Sequence, residues 1–205
     1  FMDSYLAELK KKGDGLKGIS KISIQTGTTH GGVPLPDGSI AEVKLDFGTL
    51  EEISRVAKSK YGLSGAVQHG ASTLPDDAFH RFPETETSEI HLATGFQNMI
   101  YDSGRFPSDL KERIYAYINT DLRGDKKEKD SDEQFVYKTR KKGFGRFKKD
   151  MWDLPPSTLA AIGAELEEKF AFLFGKLNLP GTREIVDRVV QPVDVPLDVP
   201  QLLNR

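Results

Sequence analysis

The chain has 205 residues, no cysteine, and 29 basic against 31 acidic side chains, for a net charge of −2. Zero cysteines exclude a disulfide framework, thiolate zinc sites and thiol catalysis, and the near balance of charge disfavours a dedicated nucleic-acid binder. No apolar run approaches the ~20 residues of a membrane helix, and Met2-Asp3-Ser4 opens charged helical sequence rather than a signal peptide. A cytoplasmic protein without a membrane partner is expected. Phe1 precedes Met2, which reads as the C-terminal part of a longer chain.

Residues 3–12 predict a helix, with Tyr5, Leu6 and Leu9 on one stripe and lysines in the last turn, where the helix dipole favours cations. The β-branched stretch 19–26 predicts a strand that empties into Gly27-Thr28-Thr29-His30-Gly31-Gly32. A helix is expected over 49–60, opened by a Thr49/Glu52 capping box and burying Leu50, Ile53, Val56 and Ala57. A second strand over 64–68 ends in His69-Gly70-Ala71-Ser72, and a third over 89–94 leads into another glycine. Alternating helices and strands predict parallel pairing with covering helices. The strand ends near 30, 69 and 94 are spaced by 39 and 25 residues, against about 31 residues per unit in a (β/α)₈ barrel.

Beyond residue 108 the pattern is helical. Helices are expected over 108–120, 156–177 and 182–190, with a charged, mobile loop at 121–133. Leu159, Ile162, Leu166, Phe170, Leu173 and Leu177 recur at spacings of three and four, as core or oligomer interface. Pro192, Pro196 and Pro200 predict an extended arm. This divides the chain into βα units over 1–108 and a helical extension over 109–205.

In parallel α/β folds, sites form at the carboxyl ends of strands. His30 and His69 both fall at such ends, and each is followed by a glycine that admits a phosphate or substrate oxygen to the backbone N–H groups. Imidazole is also the commonest ligand for a metal such as zinc. Either histidine alone is equally compatible with a hydrogen-bonded core residue; their shared placement favours a site.

Thr28-Thr29-His30-Gly31, His69-Gly70-Ala71-Ser72 and Ile90-His91-Leu92-Ala93-Thr94 with Gln97 resemble class II, zinc-dependent fructose-bisphosphate aldolases across residues ~19–100. The resemblance implies a TIM (β/α)₈ barrel, of which this chain holds the last three βα units. It implies His30 and His69 as zinc ligands, with a monovalent cation as a further candidate cofactor. Gly31, Gly70, Ser72 and Thr94 would bind the phosphate and oxygens of a dihydroxyacetone-phosphate-type substrate. The chemistry implied is reversible aldol cleavage of a ketose phosphate such as fructose 1,6-bisphosphate, in carbohydrate metabolism. The partners implied are the sugar phosphate, the N-terminal part of the barrel and further copies in a homo-oligomer. Catalytic residues and a third zinc histidine are expected upstream of Phe1, leaving this piece inactive by itself. Two departures stand out: Ala71 occupies a position where the family commonly has Gly, and His91 one where it has Asn. His91 is expected to hydrogen-bond substrate rather than bind zinc. The alternative is a non-catalytic sugar-phosphate-binding or structural protein derived from the same family.

The run 138–149 carries seven Lys or Arg around Phe144 and Phe147. Such a run can bind RNA, but a solvated basic face with both rings anchored in the core is the expected reading. Asp76 and Asp77 read as a helix cap, and His80 has no assigned role.

Overall fold

A computed structural model of the chain describes residues 1–28, 34–36, 41, 45–197 and 200. Thirteen of the elements matter here: α1 (Met2–Lys12), β1 (Ile22–Ile24), α2 (Phe47–Tyr61), β2 (Ala66–Gln68), α3 (Arg81–Glu84), β3 (Glu89–Ile90), α4 (Thr94–Asp102), α5 (Ser108–Thr120), α6 (Asp132–Thr139), α7 (Gly143–Arg146), α8 (Lys148–Trp152), α9 (Pro156–Lys176) and α10 (Arg183–Val189).

The strands form one three-stranded parallel sheet in the order β1-β2-β3. Parallel, adjacent strands were the expectation from the alternating elements. The TIM-barrel architecture was not: the molecule is α-rich, with a small α/β sheet rather than a barrel segment. Among the described residues, β1 and β3 each pair on one side only, so the sheet is open at both edges. Strand pairing also stops after two or three residues, well short of the stretches predicted at 19–26 and 89–94. A strand lacking a neighbour on one edge has fewer ladder bonds to hold its ends.

The register places Ser23, Val67 and Glu89 side by side on one face of the sheet, and Ala66 and Ile22 on the other. Ile24, Ala66, Ile90 and Leu92 join the core on the covered face, with Leu50 of α2, Leu74, Phe79, Phe82 and Leu173 of α9. Ile90 and Leu92 therefore face inward as alternation demands, which sends Glu89 and His91 to the open face.

α2 begins two residues earlier than predicted, and its cap is Asp46 rather than Thr49. The Asp46 carboxylate accepts from the Thr49 backbone N–H (2.9 Å) and hydroxyl (2.6 Å). Its buried face is Leu50, Ser54 and Ala57, whereas Val56 lies at the surface. Ser54 is buried because its hydroxyl is used twice, donating to the Glu86 carbonyl (2.7 Å) and accepting from the Ala66 N–H at the start of β2 (3.2 Å). The bonds from Thr49 hold the Asp46 carboxyl below its ordinary value of 3.8. A lowered folded-state pKa gives stability that is present above the ordinary value and lost as pH falls through the folded one. Asp46→Ala is thus expected to lower Tm at neutral pH by more than it does in acid, where the carboxyl is protonated in the folded state as well, which thermal melts under the two conditions would check.

A second core lies in the helical half. Tyr101, Phe106, Leu110, Ile114, Ile118, Phe135 and Ile162 are all buried in it. α9 spans both cores, giving Ile162 to this one and Leu173 to the other. Of the stripe expected as core or oligomer interface, Ile162 and Leu173 are buried while Leu159 and Phe170 are exposed on the single chain. The basic run is mostly neutralised within the molecule. Arg140 is buried; its guanidinium bonds Asp102 (2.7 and 3.0 Å) and Asn98 (2.6 Å) and lies over the Tyr101 and Tyr137 rings. Lys138 pairs with Asp130 and Lys142 with Asp125. Phe144 and Phe147 pack on the second core, as expected. The loop at 121–133 is tied down by Arg123 and Lys126, which both reach Asp132. Residues 190–197 carry no regular secondary structure. No helix among the described residues is long and apolar enough to cross a membrane.

Candidate functional site

His30 and Gly31 lie outside the described residues, so their predicted roles as zinc ligand and phosphate contact have no geometry here. The other strand-end residues come together at the carboxyl end of the sheet. β2 runs from Ala66 to Gln68 and delivers His69, half-buried, directly above it. Gly70 follows in the left-handed region (φ 73°, ψ 20°), which turns the chain into the 3₁₀ turn Ala71–Thr73. A side chain at position 70 would be strained in that conformation. The turn carries Ser72 to the start of α4, where its Oγ accepts from the Ala93 N–H at 3.1 Å.

α4 opens at Thr94 with Ala93 as N-cap, and Ala93 brings no side-chain acceptor to the first helical N–H groups. Gly95 lets the helix start approach the turn closely: a Cβ there would sit 3.2 Å from the Ser72 carbonyl oxygen. Thr94 and Ser72 are thereby gathered at one helix N-terminus, with Gly70 at the entry to the turn that carries Ser72. That arrangement favours an anion through unpaired N–H groups and the helix dipole. The Ser72 hydroxyl accepts from Ala93 and still has its own proton to donate.

His91 lies on the open face, about half exposed. Its backbone N–H donates to the Gln68 carbonyl (2.9 Å), and its Nε2 is 2.5 Å from Glu89 Oε1. Lys21 reaches the other carboxylate oxygen of Glu89. The Lys21 bond, and after it the His91 bond, hold the Glu89 carboxyl below its ordinary range. The His91 ring stacks on His69, with centroids 4.2 Å apart and planes 19° from parallel. Imidazole lone pairs lie in the ring plane, so two rings stacked face to face aim theirs side by side rather than at one point. A zinc site with three protein ligands needs convergent donors. Among the described residues no three His, Cys, Asp or Glu side chains group to hold a metal. The described residues therefore offer His69 as one imidazole and do not by themselves fit a zinc centre.

A cavity of about 370 Å³ lies nearby but on the helix-covered side, between α4 and α9. It is lined chiefly by Leu74, Phe79, Leu92, Phe96 and Leu173, touching the strand-end cluster only at Ser72 and Gly95. Asp76, predicted as a cap, instead pairs with Lys169 at its edge. His80 sits 3.9 Å from Glu84 in an exposed pair.

The residue missed in the sequence is Gln68. It is completely buried, and its side chain bonds Thr26, Thr28 and the His69 carbonyl. A signal was available: strand alternation puts position 68 on the covered face with Ala66, and a buried amide must find partners. No model of a known protein family matches the chain, and no curated protein matches it.

Proposed function

We propose that this chain carries the phosphate-binding part of an aldolase-type lyase acting on a ketose phosphate such as fructose 1,6-bisphosphate. The observation that carries the reading is the meeting of His69-Gly70-Ala71-Ser72 with the start of α4, through the Ser72–Ala93 hydrogen bond and the close approach of Gly95. These are the segments whose sequence resembles the class II aldolases, and they meet where a phosphate ester would be held.

In this reading the phosphate accepts hydrogen bonds from the first N–H groups of α4 and from the Ser72 and Thr94 hydroxyls. The sugar then lies across the open sheet face toward His69 and His91. Cleavage requires a proton to leave the hydroxyl on the carbon being released as an aldehyde. The carbon–carbon bond breaks as that carbon becomes the aldehyde, its electrons pass to the ketone fragment as an enediolate, and a proton is then delivered to the enediolate carbon beside the ketone. The pair of His91 with Glu89 gives a hydrogen-bonding group to a substrate hydroxyl, and His69 is the imidazole this chain would offer a zinc ion. The zinc would supply Lewis-acid polarisation of the ketone when bound. Because the described residues do not complete its site, no step is drawn through it.

The test is binding of dihydroxyacetone phosphate against dihydroxyacetone by calorimetry, with zinc content measured alongside. Phosphate-dependent binding is expected, and Gly95→Val, which pushes a side chain into Ser72, should weaken it by about ten-fold or more, some 1.4 kcal/mol. Equal binding of the two compounds would remove the phosphate site. Phosphate-dependent binding without any ketose-phosphate cleavage by the full-length protein when zinc is supplied would favour the non-catalytic sugar-phosphate-binding alternative.

A further inference from the structure

We infer that Gln68 is a positioning residue: its buried amide ties the ends of β1 and β2 together and fixes the backbone from which His69 projects. The inference rests on the reading of His69 as a functional residue. Gln68 is 0% exposed. Its Oε1 accepts from Thr26 Oγ1 at 2.6 Å, while its Nε2 donates to Thr28 Oγ1 at 2.9 Å and to the His69 carbonyl. Thr28 closes the triangle by donating to the same carbonyl at 2.8 Å.

A carbonyl can only accept, so the amide orientation is set by chemistry: the NH₂ group must face His69 and the oxygen must face Thr26. Two donors on one carbonyl hold the peptide plane between His69 and Gly70. That plane determines both the direction of the His69 side chain and the entry to the left-handed turn at Gly70. The network is more than core filler for a further reason. An apolar residue would satisfy the covered face, as Ala66 does two positions earlier. A buried amide is costly unless its partners are met, and here the partners are the two threonines at the end of β1. The backbone carbonyl of Gln68 also accepts from the His91 N–H at 2.9 Å, so the same residue anchors both stacked imidazoles.

The experiment records imidazole ¹H–¹⁵N resonances of the whole chain for wild type, Gln68→Met, Thr28→Val and Ser54→Ala. Ser54 is an equally buried hydroxyl with two bonds, one of them to the Ala66 N–H at the opposite end of β2 from His69. The expected result is a shift of the His69 ring resonances in Gln68→Met and Thr28→Val, with His80 unmoved. Ser54→Ala should lower Tm and leave His69 where it was. Should Gln68→Met fail to fold, Thr28→Val carries the test, since it keeps the side-chain volume and removes only the hydroxyl. Unshifted His69 resonances in Thr28→Val, or an equal shift in Ser54→Ala, would overturn the inference. Dihydroxyacetone phosphate affinity, measured in parallel, should fall several-fold in Thr28→Val and not in Ser54→Ala. If wild type binds none of that compound, the lyase reading falls, while the ring resonances still decide whether Gln68 positions His69.

Discussion

Replacing Phe82 by Ala is expected to remove about 3–5 kcal/mol of stability, the range for truncating a fully buried aromatic. Phe82 is 1% exposed and sits beneath the sheet. Its ring meets Phe47 of α2 edge-on at 5.5 Å and Phe79 at 5.8 Å, so its loss opens a void between α2 and the segment leading to β3. That segment is held largely by short turns, including Thr87 N–H to the Phe82 carbonyl (3.1 Å), and has little regular structure with which to collapse into the space. Against a total stability of about 5–15 kcal/mol, the change is large. It should appear as a fall in Tm on the order of 10 °C for a chain of this size. A drop under about 1 kcal/mol in denaturant titration would mean that the first core repacks around the site, contrary to its observed edge-to-face ring geometry. Phe82→Leu, which keeps most of the apolar volume, should recover much of the loss.

How far the sequence could be read depends on which force sets each feature. The long helices were legible because burial of one face imprints a period of 3.6. α5 starts and ends where predicted and buries Leu110, Ile114 and Ile118, each four residues from the next. Parallel strands were legible from the alternation of elements, but closure was not. Spacing between strand ends reports only the length of each connection, and the sheet stops at three short strands with β1 and β3 as edges among the described residues. The barrel inference failed at that step. The cap of α2 was misplaced because Thr49 and Glu52 satisfy the capping-box pattern at a position nearly one turn inside the true cap, where Thr49 is the donor to Asp46 rather than the cap. At the candidate site, the strand-end glycine and serine were visible as motif letters. The network behind them was not, because Gln68, Thr26 and Thr28 read as unremarkable polar residues until the register shows that they share a buried face. Arg140 escaped for a similar reason: inside a basic run, nothing marks the one guanidinium that is buried between two tyrosine rings.

The two stacked imidazoles should separate cleanly by substitution. In the full-length protein, His69→Ala is expected to lower zinc-dependent ketose-phosphate cleavage by about 10²-fold or more, the scale for removing a positioned acid–base or polarising group. His69 is half-buried at the strand end, its carbonyl is held by two donors, and its ring stacks on His91. Substituting His91 by Asn should have a different signature. His91 is about half exposed, faces the open side of the sheet and is held by Glu89. Asn retains a donor and an acceptor on that face but shortens the reach and cannot stack as imidazole does. The expected outcome is retained zinc content with a changed KM or kcat for the sugar phosphate, since a ring stacked parallel to His69 does not share a convergent point with it. Metal analysis and steady-state kinetics on both variants check this together. Loss of zinc in His91→Asn would make His91 a ligand after all and would require the stack to open when metal binds. Full activity in His69→Ala would remove the strand-end imidazole from the chemistry, and the proposal would then rest on Ser72 and the start of α4 alone.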